Sequence, residues 1–92
     1  MKRSTRLRIV KQEPTASTSI YAIMSTREFA LGVVDMRANR PYPRDYDSWE
    51  VDPQWNYERG RQWARSAPRT VALRREGKIT REALRWFTKD IL

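Results

Sequence analysis

The sequence predicts an all-α fold: a small helical domain built as two helical hairpins, four short helices, behind a basic N-terminal arm. Three observations carry that expectation. An aromatic residue three positions ahead of a glycine occurs twice, 28 residues apart, as Phe29-Ala-Leu-Gly32 and Tyr57-Glu-Arg-Gly60. Helix starts are marked at Ser25, at Asp52-Pro53 and at Thr80, residue types that satisfy or dispense with free first-turn amides. Behind those starts, apolar residues recur at i, i+3, i+4 and i+7, the spacing that lines one helix face.

Residues 1–23 carry five cations and one acid, with a Thr/Ser-rich stretch at Thr15 to Ser19, and read as a basic flexible arm. Arg6 to Lys11 partly alternate in polarity, a short-strand pattern that Pro14 and the low apolar content oppose. Residues 24–92 then read as one helical domain. Its first hairpin, residues 24–67, opens with Ser25 as cap and Glu28 reaching back to the capping amide. Phe29, Gly32, Val33 and Met36 form the buried stripe of a helix running to about Ala38. Glycine costs a helix interior roughly 1 kcal/mol against alanine, so Gly32 and Gly60 each ask for a packing reason. A flat notch beside an aromatic ring, admitting a second helix at close range, supplies one.

Residues 39–50, with Pro41 and Pro43 around Tyr42, form an extended polar loop. Asp52 and Pro53 open a second helix to about Ser66, with Tyr57, Gly60, Trp63, Ala64 and Ala67 inward and Trp55, Arg59 and Gln62 outward. The C-terminal hairpin, residues 68–92, follows Pro68. A third helix is expected over 69–76, with Gly77 in the left-handed position after it. Thr80 caps a last helix whose stripe is Ala83, Leu84, Phe87 and Ile91, with Trp86 at its margin.

Composition narrows the chemistry. The chain has 92 residues, room for one domain with a thin core, and neither cysteine nor histidine. Disulfides, thiolate or imidazole metal sites and the commonest general base are thereby absent. Asp45, Asp47, Glu50 and Asp52 lack the central glycine and terminal glutamate of a calcium loop. No nucleophile with its base and no phosphate-cradling glycine loop is evident. An enzyme, a cofactor and a small-molecule substrate are therefore not expected. No apolar run approaches a membrane span or a secretory core, which points to the cytoplasm.

The net charge is +8, and 15 of the 19 cations are arginine, whose planar fork suits phosphate and carboxylate. The charge is divided: Arg40 to Glu58 holds five acids against two arginines, whereas Arg65 to Lys89 holds eight cations against two acids. Nucleic-acid contact is accordingly expected at Arg65, Arg69, Arg74, Arg75, Lys78, Arg81 and Arg85. The plain alternative is a solvated face, with Arg74 and Arg75 paired to Glu76 or Glu82. Among the tryptophans, Trp63 and Trp86 read as core. Trp49 and Trp55 flank the acidic loop, and Trp55 with Arg59 makes an outward pair of the kind found at protein-binding hot spots.

The run Phe29-x-x-Gly32, Arg37, Pro41-Tyr42 and Tyr57-x-x-Gly60-x-x-x-Ala64 resembles the ribosome modulation factor family over roughly residues 26–66. That resemblance implies two short helices joined by an extended loop, in a small basic bacterial protein that binds small-subunit ribosomal RNA and promotes inactive paired ribosomes. A box similar to Tyr57 to Ala64 also occurs in short phage and prophage proteins. Two functions follow as expectations. One is a non-catalytic RNA- or ribosome-binding regulator. The other is a phage-encoded accessory protein that inhibits a host transcription, translation or CRISPR complex by protein contact. A DNA regulator using the C-terminal hairpin is a third, weaker expectation.

Overall fold

The computed structural model describes residues 16–87 and Ile91. Four helices dominate: α1 (Ala16–Met24), α2 (Arg27–Arg37), α3 (Val51–Ser66) and α4 (Arg81–Arg85). Between α3 and α4 lie two short antiparallel strands, β1 (Arg74–Arg75) and β2 (Lys78–Ile79), and a 3-10 turn spans Tyr46–Ser48. The fold is mostly helical rather than purely α-helical.

The antiparallel pair α2 and α3 forms the centre. An ideal Cβ built on Gly32 would lie 2.1 Å from the Tyr57 carbonyl oxygen, and one on Gly60 would lie 2.1 Å from the Phe29 carbonyl oxygen. The contact is reciprocal: each glycine receives the backbone of the aromatic residue that opens the other signature. Each missing side chain leaves a Cα–H aimed at a carbonyl, a weak polar contact between helices. The notch proposed from spacing is thus a backbone-to-backbone approach.

Capping differs by one residue from expectation at α2. Thr26, not Ser25, is the cap: its Oγ1 accepts from the Phe29 amide at 3.2 Å and donates to the Ile23 carbonyl at 2.8 Å. One hydroxyl therefore serves the end of α1 and the start of α2 together. Asn39, in the left-handed region at φ 57°, ends α2, and the Arg40 amide returns to the Asp35 carbonyl at 2.8 Å.

Helix α1 falls within the stretch read as arm to residue 23. Its described end supplies Met24, which is fully buried, with Ile20 and Ile23 packed against the core. Those three apolar residues sit at i, i+3 and i+4, a short stripe that the preceding Thr/Ser run obscures. Residues 1–15, including the Arg6 to Lys11 alternation, lie outside the described residues.

The expected third helix over 69–76 is replaced by a β-hairpin. Glu76 and Gly77 both take positive φ, 55° and 81°, the conformation of a two-residue turn that matches strand twist. Arg74 pairs with Ile79 and Arg75 with Lys78. Val71 and Leu73 face inward at period two, not at helical spacing, and an eight-residue helix has little stability of its own. Thr80 then acts as foreseen, accepting from the Ala83 amide at 3.0 Å while donating to the Ala72 carbonyl at 2.8 Å.

The core joins all these pieces: Phe29 and Val33 from α2, Trp63 and Ala64 from α3 with Ala67 just after it, then Val71, Ala83, Phe87 and Ile91. Phe29 lies 6.2 Å from both Trp63 and Phe87 by ring centroids. Trp63 is fully buried and donates its ring N–H to the Ala83 carbonyl at 2.9 Å. Trp86, expected in the core, is exposed, as is Leu84, because α4 turns Ala83 and Phe87 inward instead.

Candidate functional site

Seven cations were expected to contact nucleic acid, and the structure separates them into two groups. Arg69 and Arg74 act as staples. The Arg69 guanidinium donates to the Arg37 carbonyl at 2.5 Å, and that of Arg74 to the Ser25 carbonyl at 2.7 Å. Both accepting carbonyls lie at helix ends, where they lack an intrahelical donor and where a cation is favoured. The C-terminal segment is thereby tied to the first hairpin.

Arg65, Arg75, Lys78, Arg81 and Arg85 form the second group. All five are exposed, and their side chains make no hydrogen bond or ion pair with a described residue. Arg75 and Lys78 are cross-strand partners on the hairpin. Arg81 and Arg85 stand one turn apart on α4, which begins directly after β2. Like charges directly opposite on a strand pair destabilise it, so the hairpin carries an electrostatic cost that a bound anion would remove. The expected pairing of Arg74 or Arg75 with Glu76 or Glu82 is not formed; Asp35 with Arg40, at 3.6 Å, is the one ion pair among the described residues.

A third arginine staple was not foreseen. Arg37 donates to the Pro68 carbonyl at 3.1 Å and the Val71 carbonyl at 2.9 Å, and its guanidinium lies 5.1 Å over the Trp63 ring. Burial, and then the neighbouring charge of Arg69, lowers its pKa. Its place in the last turn of α2 was the available signal, since cations there satisfy free carbonyls.

The acidic side is organised by an aromatic cluster of Tyr42, Tyr46, Trp49 and Tyr57. Trp49 is half-buried, with its ring edge-on to Tyr57 at 5.6 Å and tilted on Tyr46 at 5.4 Å. It holds the loop on α3 as well as bordering the surface. Tyr57 is fully buried; its hydroxyl donates to Asp35 Oδ2 at 2.7 Å and accepts from Arg61 at 2.8 Å. Arg61 also covers the Tyr42 ring at 4.7 Å. Burial and the bond to Asp35 push the Tyr57 phenol up to about 12, against the opposing pull of Arg61. The Tyr46 phenol, which donates to Glu58, is raised by burial and then by that bond.

Asp45, Asp47, Glu50 and Asp52 are exposed, and no cluster of three or more potential metal-ligating side chains exists among the described residues. Glu28, Asp45 and Glu50 line a cleft of about 400 Å³ with Trp49 between the start of α2 and the loop. On the outer face of α3, Trp55 is 48% exposed, with the Arg59 guanidinium 5.2 Å over its ring. The outward pair read from helical spacing is therefore formed, and it borders a shallow depression with Gln62 and Ile91. No helix among the described residues is long and apolar enough to cross a membrane. Set against protein-family models, curated proteins and solved structures, the chain matches none of them.

Proposed function

We propose that this chain is a non-catalytic RNA-binding regulatory protein that docks the β1–β2 hairpin and α4 on a phosphate backbone and acts by occupying a ribosomal site in the bacterial cytoplasm. The observation that carries the proposal is the opposed pair Arg75 and Lys78, exposed and continued by Arg81 and Arg85, with no described carboxylate neutralising any of them. Phosphates along a nucleic-acid backbone would supply the missing counter-charge, and release of condensed counterions would drive association. The resemblance of residues 26–66 to ribosome modulation factor adds the choice of ribosomal RNA over other polyanions. A tagged pull-down from bacterial lysate, split into nuclease-treated and untreated halves, tests it. Ribosomal RNA and subunit proteins recovered only without nuclease are the expected result.

One observation favours a second reading, a phage-encoded accessory protein that inhibits a host nucleic-acid-handling complex. Trp55 under Arg59 presents a large exposed ring with a cation stacked on it, on the acidic half where RNA is repelled. A protein complex retained through nuclease treatment, and lost with Trp55→Ala, would favour that reading over RNA binding.

A further inference from the structure

One flank of helix α2, running from the core residue Val33 out to the exposed Val34 and Ala38, is open to solvent. Ala30, Val33, Val34, Arg37 and Ala38 follow at i, i+3, i+4, i+7 and i+8, and across from them stand Leu73 and Arg74 of the C-terminal segment. Together they wall a groove of about 480 Å³, open to solvent. Val34 is 50% exposed on this flank. The lining contains no carboxylate and no aromatic ring; its only charges are Arg37 and Arg74, and Arg69 stands next to Arg37.

We propose that this groove is a docking site for an acidic amphipathic helix of a protein partner. Such a helix lays its apolar face into a groove through residues at i, i+3 or i+4, and i+7, while its flanking acids meet cations at the rim. The floor of alanine, valine and leucine matches the apolar face, and Arg37 and Arg74 match the acids. Arg74 is exposed and spends only its Nη2 on carbonyls, so its other donors remain to bind a carboxylate, while Arg37, whose Nη2 is committed to two carbonyls and whose Nε is buried, adds its charge. RNA finds no ring to stack on here. A second copy docked through the same face would bring another cationic rim with no carboxylate in its lining, so self-association through this face is opposed by charge. None of Arg75, Lys78, Arg81 and Arg85 lines the groove, and the proposal stands independently of RNA binding.

The test uses the isotope-labelled full chain and a synthetic peptide of about 18 residues, with leucines at helical spacing flanked by glutamates, against the same peptide with lysines in place of glutamates. Amide shifts at Ala30, Val34, Ala38 and Leu73 that saturate with the glutamate peptide, and binding at least about tenfold weaker with the lysine peptide, are expected. Val34→Glu, at an exposed position, should weaken the glutamate peptide at least about tenfold while leaving the melting temperature nearly unchanged, since it places an unpaired charge against the peptide's apolar face. Equal binding of the two peptides, shifts confined to Trp55 and Gln62, no shifts at all, or anionic lipid vesicles shifting the groove amides where the glutamate peptide does not would each overturn the proposal.

Discussion

Gly32 and Gly60 fix how closely α2 and α3 approach, and the two competing effects of filling them have opposite signs. Helix propensity alone makes Gly→Ala stabilising by up to about 1 kcal/mol. A Cβ 2.1 Å from a backbone oxygen of the facing helix cannot be relieved by a rotamer, so the helices must part. Gly32→Ala and Gly60→Ala should therefore each cost about 2–3 kcal/mol in urea unfolding, the upper range for overpacking, and a gain in either would refute the close approach. Tyr57 offers a second test. Its phenol is raised to about 12 in the folded chain against an ordinary value near 10, so the protonated form is favoured by folding. That contribution is complete below about pH 10 and is lost as pH climbs from about 10 to 12, where the native state holds more protons than the unfolded one. The urea midpoint should fall across that window, and less steeply in Tyr57→Phe.

At the scale of elements, Thr80 secures the junction of β2 and α4 by accepting from one amide and donating to one carbonyl. Thr80→Val keeps the shape and removes both bonds, and should cost about 1–2 kcal/mol by thermal unfolding. This cap was legible in the sequence, as were α2, α3 and the glycine notch, because each rests on local chemistry or on spacing within one helix. The Trp55–Arg59 pair was legible for the same reason, being one turn apart on α3. The hairpin at 74–79 was not: Gly77 fits the end of a helix as well as a two-residue turn, and only the inward-facing pair Val71 and Leu73 distinguishes them. Nor were the arginine staples. Arg69 and Arg74 share charge and residue type with Arg75 and Arg81, and the carbonyls they bind are 32 and 49 residues away in the chain. Long-range acceptors leave no local trace, so a single basic cluster in the sequence divides in the structure into staples and a free face.

For the molecule as a whole, the two charge halves acquire different uses. The acidic loop is pinned to α3 by rings and by Tyr57, Asp35 and Arg61, and the outward Trp55 stands on the same helix. The basic half presents the exposed set Arg65, Arg75, Lys78, Arg81 and Arg85, and where its Leu73 and Arg74 meet α2 it closes the apolar groove that Arg37 also rims. Replacing the staples should lower stability first, whereas replacing the exposed set should leave folding intact and reduce binding alone. The most direct test is the salt dependence of binding to a single-stranded ribosomal RNA fragment, for the natural chain and for a variant with Arg75, Lys78, Arg81 and Arg85 all changed to alanine. Five phosphate contacts on a single strand give a slope of log affinity against log salt of roughly −3.5, and the variant should retain a slope of about −0.7 with unchanged unfolding. Slopes that coincide for the two proteins, or affinity insensitive to salt, would contradict RNA binding by this face.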